Sequence, residues 1–184
     1  MSDFEKLAED NYRRLFQSDR GRGFEFAREN FLGPVVAYRF DLGHEIIAVL
    51  KFVLDNVVWT EDVKTRGQVE HWGLPILKEV DGVKAWRGDC DDFMSAFMLI
   101  LRKMGWNEKV LRRAVCFVPT DGRPPADPYV INHAVLCVNF STGLLFLDNR
   151  FRFPMSLFRL RQQGYTNFSV CSVDGFWHTV EGTI

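Results

Sequence analysis

The sequence predicts an α+β fold in which helices come first and a mostly antiparallel sheet follows. Three observations carry that expectation. Up to Gly105 the apolar residues recur at helical spacing; beyond it they gather in short runs rich in Val, Leu and Phe; and tight turns such as Ser141-Thr142-Gly143 separate those runs, as in antiparallel hairpins. At 184 residues the chain is long enough for one domain with a substantial core and too short for two large ones. Seventeen phenylalanines and five tryptophans make that core, or a cleft in it, heavily aromatic. A net charge of -1 supplies no basic field for nucleic acid, and Arg150, Arg152, Arg159 and Arg161 read as a solvated face. No apolar run approaches the length of a membrane span. Met1-Ser2-Asp3-Phe4-Glu5 lacks the basic-then-apolar pattern of a secretory signal, so a reducing, cytoplasmic setting is the expectation.

In chain order, Ser2 and Glu5 form a capping box, and Phe4, Leu7, Ala8, Leu15 and Phe16 give an amphipathic helix over residues 3–17. The segment Asp19 to Gly23 breaks it, and a short helix over 24–31 ends at Gly33-Pro34. Residues 1–40 thus read as a helical arm, available to an assembly partner or packed on its own domain, which spans 41–184. Within that domain Ile46, Ile47, Leu50, Val53, Leu54 and Val57 mark a second helix over 42–58, with His44 as a surface or capping residue near its start. A polar connection from Thr60 to Glu70 and the segment His71-Trp72-Gly73-Leu74-Pro75 lead into a short helix near 75–80. Asp81-Gly82 then turns the chain toward a helix that begins at Cys90 and runs through Met94, Phe97, Met98, Ile100 and Leu101 to a stop at Gly105. Strands are expected at Lys109–Val118, His133–Phe140 and Leu144–Asp148, with a proline-rich loop over 119–131 that is long enough to be functional. A helix at 154–163 and strands near 167–173 and 176–180, turning at Asp174-Gly175, complete the chain.

The chemistry centres on Arg87-Gly88-Asp89-Cys90-Asp91-Asp92-Phe93, which places one cysteine at the opening of a strongly apolar helix. Partial positive charge at a helix N-terminus favours a thiolate, and unpaired backbone N–H groups there can receive an oxyanion. Two carboxylates beside the sulfur work in the opposite sense. The plainer alternative is a small buried hydrophobe whose flanking aspartates cap the helix. The other cysteines, Cys116, Cys137 and Cys171, sit in strand-like apolar runs without any CxxC pair and read as buried free thiols. His133 opens one strand and Asp148 ends the next, so the turn between them brings the two onto neighbouring strands. A cysteine nucleophile needs a base, and the base needs a third group to fix its tautomer; Cys90, His133 and Asp148 supply all three.

Gly88-Asp89-Cys90-Asp91-Asp92-Phe93, Asn132-His133-Ala134-Val135-Leu136 and Leu147-Asp148-Asn149, in that order, resemble the bacterial transglutaminase-like cysteine proteinases, periplasmic proteases that clip large surface adhesins. The similarity extends to Gly67-Gln68, to Trp72-Gly73-Leu74-Pro75 and to the segment from Val170 to Trp177, so it covers about residues 45–178. It implies a papain-like α+β fold with the nucleophile helix packed on the sheet, Cys90 as nucleophile, His133 as base and then acid, and Asp148 orienting the imidazole. The Cys90 N–H would contribute to an oxyanion hole, with Gln68 or Trp72 as a side-chain donor; for Trp72 a core aromatic beside Pro75 is the alternative. The family binds calcium through acidic residues flanking the cysteine, which correspond to Asp89 and Asp91. Aspartates offer the hard oxygens calcium takes, although Asp91 stands where that family has a longer glutamate, and helix capping by both is the alternative.

Two departures stand out: the missing export signal and the arm over 1–40, which the resemblance leaves unexplained. Both fit a cytoplasmic or phage-encoded relative, a virion component included. The function expected is a cysteine hydrolase acting on a protein or peptide through an acyl-enzyme, with a transglutaminase or deamidase as near neighbour. The competing class is a binding or structural module that keeps the fold without the reaction.

Overall fold

A computed structural model of the chain describes residues 3–7, 39–68, 70–120, 127, 130–140 and 143–180. Residues 3–7 are helical, as the capping box predicts, and Phe4 is fully buried, its ring edge-on to Trp86 at 5.2 Å between centroids. Most of the arm over 1–40, the helix expected over 24–31, most of the loop over 119–131 and Ser141-Thr142 lie outside the described residues. The elements are α1 (Arg39–Asn56), β1 (Val57–Trp59), α2 (Asp62–Thr65), β2 (Ile76–Val80), β3 (Val83–Gly88), α3 (Cys90–Lys103), β4 (Leu111–Phe117), β5 (His133–Phe140), β6 (Gly143–Leu147), β7 (Met155–Ser156), α4 (Leu157–Gln162), β8 (Thr166–Cys171) and β9 (Trp177–Thr179). No described helix is long and apolar enough to cross a membrane.

Six strands form an antiparallel sheet in the order β7-β6-β5-β4-β8-β9. Alternate residues of its central strands serve different cores, the period-two signature of a sheet covered on both faces. Leu111, Val115, Ala134, Leu136 and Val138 pack with the helices, whereas Ala114, Cys116, Val135 and Cys137 pack with Phe146, Leu160, Tyr165 and Phe168. On the helical side, Phe93, Met94, Phe97 and Leu101 of α3 join Ile46, Val49, Leu50 and Val53 of α1 in one cluster. Burying each such side chain is worth roughly 1.5–3 kcal/mol. The expected stop is realised: Gly105 takes a left-handed φ of 85°, and Trp106 turns back to donate its indole N–H to Glu45 Oε2 at 2.8 Å.

The helix expected near 75–80 is a strand instead. β2 pairs antiparallel with β3 across Asp81-Gly82, both of which take left-handed backbone (φ 53° and 77°), the two-residue turn whose twist matches paired strands. β3 also pairs in parallel with β1, which takes up the end of the helix expected over 42–58. The result is a three-stranded sheet, β1-β3-β2, inside the half that the periodicity marks as helical. Its role is to aim α3. The Arg87 guanidinium, buried, donates to Thr60 Oγ1 at 3.1 Å and to the Val83 carbonyl at 2.9 Å, while the Thr60 N–H donates to the Gly88 carbonyl at 2.9 Å. The strand that ends at Gly88 is thereby fixed one residue before the cap of α3.

Candidate active site

Gly88, Asp89 and Cys90 make the passage from strand to helix. A Cβ at position 88 would lie 2.5 Å from Asp92 Cβ and 2.6 Å from Asp92 Oδ2, so only glycine lets the first turn of α3 close onto β3. Asp89 occupies the N-cap position but its side chain makes no capping hydrogen bond, and its Oδ1 is buried without a partner. Capping is therefore not what holds Asp89. Cys90 is the first helical residue, so its N–H belongs to the orphan amides of the first turn. Its sulfur meets the backbone of Ala134, one residue beyond His133, where α3 packs on the start of β5.

His133 and Asp148 come together as expected. His133 Nε2 lies 2.9 Å from Asp148 Oδ1, and the carboxyl is completely enclosed. Two groups absent from the sequence-based reading hold that carboxyl. The Arg150 N–H donates to Oδ1 at 2.9 Å and the buried Tyr165 hydroxyl donates to Oδ2 at 2.7 Å; the Tyr165 ring also stands edge-on to the His133 ring, with centroids 6.1 Å apart. Asn132 is a third missed residue. Its Oδ1 accepts from the Val118 N–H at 2.7 Å and its Nδ2 donates to the Val118 carbonyl at 2.8 Å, closing the base of the long loop and setting where β5 begins. Asn132 stands in the motif that carries the resemblance, which assigns it no role; asparagine's habit of imitating a backbone partner is the physical signal for it.

Cys90 and His133 share no hydrogen bond. Burial pushes the thiol up to about 12; the Ala134 backbone beside the sulfur works against this, and the nearby charges of Asp89, Asp91 and Glu70 add to it. Desolvation is the largest of these influences, and the acidic neighbours act in the same direction. Cys137 is likewise raised to about 12 by burial, and Cys116, directly across from His133 in the sheet, is raised too. Cys116 and Cys137 are buried free thiols as predicted; Cys171 is half-buried.

Beneath Cys90 lies a nest of carboxylates. Asp91 and Asp92 are buried, and burial lifts both: Asp91 stands well above the usual carboxylate range, with Asp89 adding to the rise, and Asp92 reaches about 6 although Arg66 pulls it down. Both oxygens of Asp91 and one each of Asp62, Asp89 and Asp92 are buried with no hydrogen-bond partner. Asp89, Cys90 and Asp91 form one group of ligand atoms within 4.8 Å of one another, and Asp62, Asp89 and Asp92 form another.

Gln68 and Trp72 lie in the connection from α2 to β2, both exposed, and neither hydrogen-bonds to Cys90 or His133. Trp72, 43% exposed, is not a core aromatic. The connection itself does come near Cys90, because Glu70 is close enough to act on its thiol. His133 also lines a cavity of about 350 Å³, with Trp59, Val118, Thr120, Asn132, Asn149 and Arg150. Of the arginines expected on a solvated face, Arg150 also lies over the Tyr165 ring at 5.7 Å, and Arg161 donates to the Val180 carbonyl at 3.0 Å.

No family model and no curated protein matches the sequence. Among solved structures, calcium-bound LapG of Legionella pneumophila superposes with a TM-score of 0.53 at 18% identity, over 95% of this chain and 91% of that one. A second structure of the same organism's LapG gives 0.52 at 18% identity, over 95% and 84%. The fold is therefore the transglutaminase-like α+β fold that the sequence resemblance implies.

Proposed function

We propose that the chain is a cysteine hydrolase that cleaves an amide bond of a protein or peptide through an acyl-enzyme on Cys90. The observation that carries this reading is the enclosed His133–Asp148 bond of 2.9 Å, one residue from the backbone against which the Cys90 sulfur rests. A carboxylate accepts at Nε2, so Nε2 carries the proton and Nδ1 is the nitrogen left to exchange one with the thiol. Cys90 gives its proton to Nδ1, the sulfur bonds to the substrate carbonyl carbon, and the developing oxyanion meets the N–H groups of the first turn of α3. The imidazolium, stabilised by Asp148, returns the proton to the leaving amine, and water then attacks the thioester with His133 as base. Burial favours the neutral thiol, so His133 is assigned the role of taking its proton. Gln68 and Trp72, on the flanking connection, are the side chains proposed to meet the substrate or its oxyanion. The likeness to LapG, a transglutaminase-like cysteine protease, supports the reaction class.

Asp89 and Asp91 fit a hard cation such as calcium, since their buried oxygens lack any donor. Asp89 and Asp91 would hold such an ion beside Cys90, and its positive charge would offset the carboxylates that raise the thiol.

Hydrolysis of a protein substrate should be lost in Cys90→Ala and in His133→Ala; an unchanged rate in Cys90→Ala would sink the proposal. Product mass on a glutamine peptide then separates hydrolysis from deamidation or amine transfer. The lack of a Cys90–His133 hydrogen bond favours a second reading, a binding or structural module that retains the fold. A stoichiometric complex that forms equally well with Cys90→Ala, from a chain inert toward every peptide offered, would establish that reading instead.

A further inference from the structure

Asp62 lies outside the Cys90 motif, at the opening of α2. It is nevertheless 1% exposed, and its Oδ2 has no hydrogen-bond partner. One of its oxygens lies within 4.8 Å of one from each of Asp89 and Asp92, so α2 and the first turn of α3 bring three carboxylates together. Asp92 is fully enclosed and its Oδ2 is also without a partner. The other oxygens of this pair are occupied: Arg66 donates from Nη2 to Asp92 Oδ1 at 3.0 Å and lies 3.5 Å from Asp62 Oδ1 through Nε. With Asp91 beside Asp89, the cluster sets four carboxylates against the one guanidinium of Arg66, an excess of acidic groups that a divalent cation would offset. A buried carboxylate oxygen with no donor from the protein loses much of its solvation, which a bound cation would replace.

We propose that Asp62, with Asp89 and Asp92, forms a divalent-cation site that ties α2 to the nucleophile helix. This deepens the calcium reading, which rests on Asp89 and Asp91 next to the sulfur, by assigning a ligand from a separate element. The consequence lies in the connection that leaves α2. Arg66, which shares Asp62 and Asp92, also donates to the Leu74 carbonyl at 2.6 Å, and between Arg66 and Leu74 lie Gln68, Glu70 and Trp72. A cation at this point therefore holds the wall beside Cys90. Asp62 is a positioning residue, acting on the site through that wall.

The test uses the full chain carrying Cys90→Ala, so that no catalytic event enters the readout, with calcium chloride alone as probe and magnesium chloride as comparator. Calorimetric titration should show calcium binding that Asp62→Asn weakens by about tenfold or more and Asp62→Glu restores to within a few-fold. Amide exchange on the protein with Asp62 intact should slow over residues 62–68 as well as over 89–92 when calcium is added. Equal calcium affinity with and without Asp62, no binding at millimolar calcium, or slowing confined to 89–92 would each overturn the proposal. The hydrolase reading fails on a different result, retained hydrolysis in the Cys90→Ala chain, so the two failures are separable.

Discussion

Tyr165 and Arg150 show how much of the site depends on residues that carry no reactive group. Asp148 is enclosed, and each of its oxygens is held by a donor from elsewhere in the fold. Tyr165→Phe removes the hydroxyl and leaves Oδ2 dry, at a cost of about 1–3 kcal/mol in stability. With His133 as the base, kcat/KM should fall at least about tenfold with little change in KM, because the lost bond serves the imidazolium that forms only during reaction. Thermal melts and steady-state kinetics on the same variant check both. The Cys90 thiol gives a second prediction at this scale. With its proton held to about 12, iodoacetamide labelling without calcium should climb roughly tenfold per pH unit through about pH 10 with no plateau. A plateau near pH 8.5, the ordinary thiol value, would show that the acidic surroundings are ineffective. Cys90, His133 and Asp148 stood out in the sequence as candidates because each lies at the end of an element with a clear pattern. Tyr165 did not, because a tyrosine just before a strand looks like any core aromatic.

Between α1 and α3 the sequence misleads in one place, for a physical reason. Ile76, Leu77 and Val80 suit one turn of helix as well as a strand, and five residues are too few for periodicity to decide. The deciding signal was Asp81-Gly82, a hairpin turn read only as a change of direction. The parallel partner β1 had no local signal, since parallel pairing depends on residues about 30 positions away in the chain. By contrast α3, β4, β5 and β6 were placed within about two residues, because turns and a glycine stop bound them. Gly88 belongs to this scale, since it governs how β3 meets α3. Gly88→Ala should destabilise the fold by about 3 kcal/mol or fail to give soluble protein, as its Cβ would meet Asp92 Cβ at 2.5 Å. A melting temperature within about two or three degrees of the parent would contradict that close approach.

Over the whole molecule the buried carboxylates set how stability responds to pH. Asp91 and Asp92 bind protons more tightly folded than unfolded. Their contribution is therefore complete below the ordinary aspartate value near 3.9 and is lost as pH rises through the folded values, about 6 for Asp92 and higher for Asp91. In chelator, the melting temperature of the parent relative to Asp91→Asn should fall steadily from about pH 4.5 to about pH 8. Added calcium should recover most of that loss at the alkaline end and little at the acid end, where the ligands are protonated. A difference between parent and variant that is flat across this range would show that the carboxylates are solvated in the native state.

The order of strands in the large sheet also has a bearing on timing. β4 lies between β5 and β8, and β8 is formed by residues 166–171, later in the chain than every reactive group. During synthesis Cys90, His133 and Asp148 all leave the ribosome before Tyr165 and β8, so a nascent chain holds all three candidate residues while lacking the hydroxyl that anchors Asp148 and the strand that flanks Cys116. On the proposed hydrolase reading, activity would therefore wait for β8 to be made.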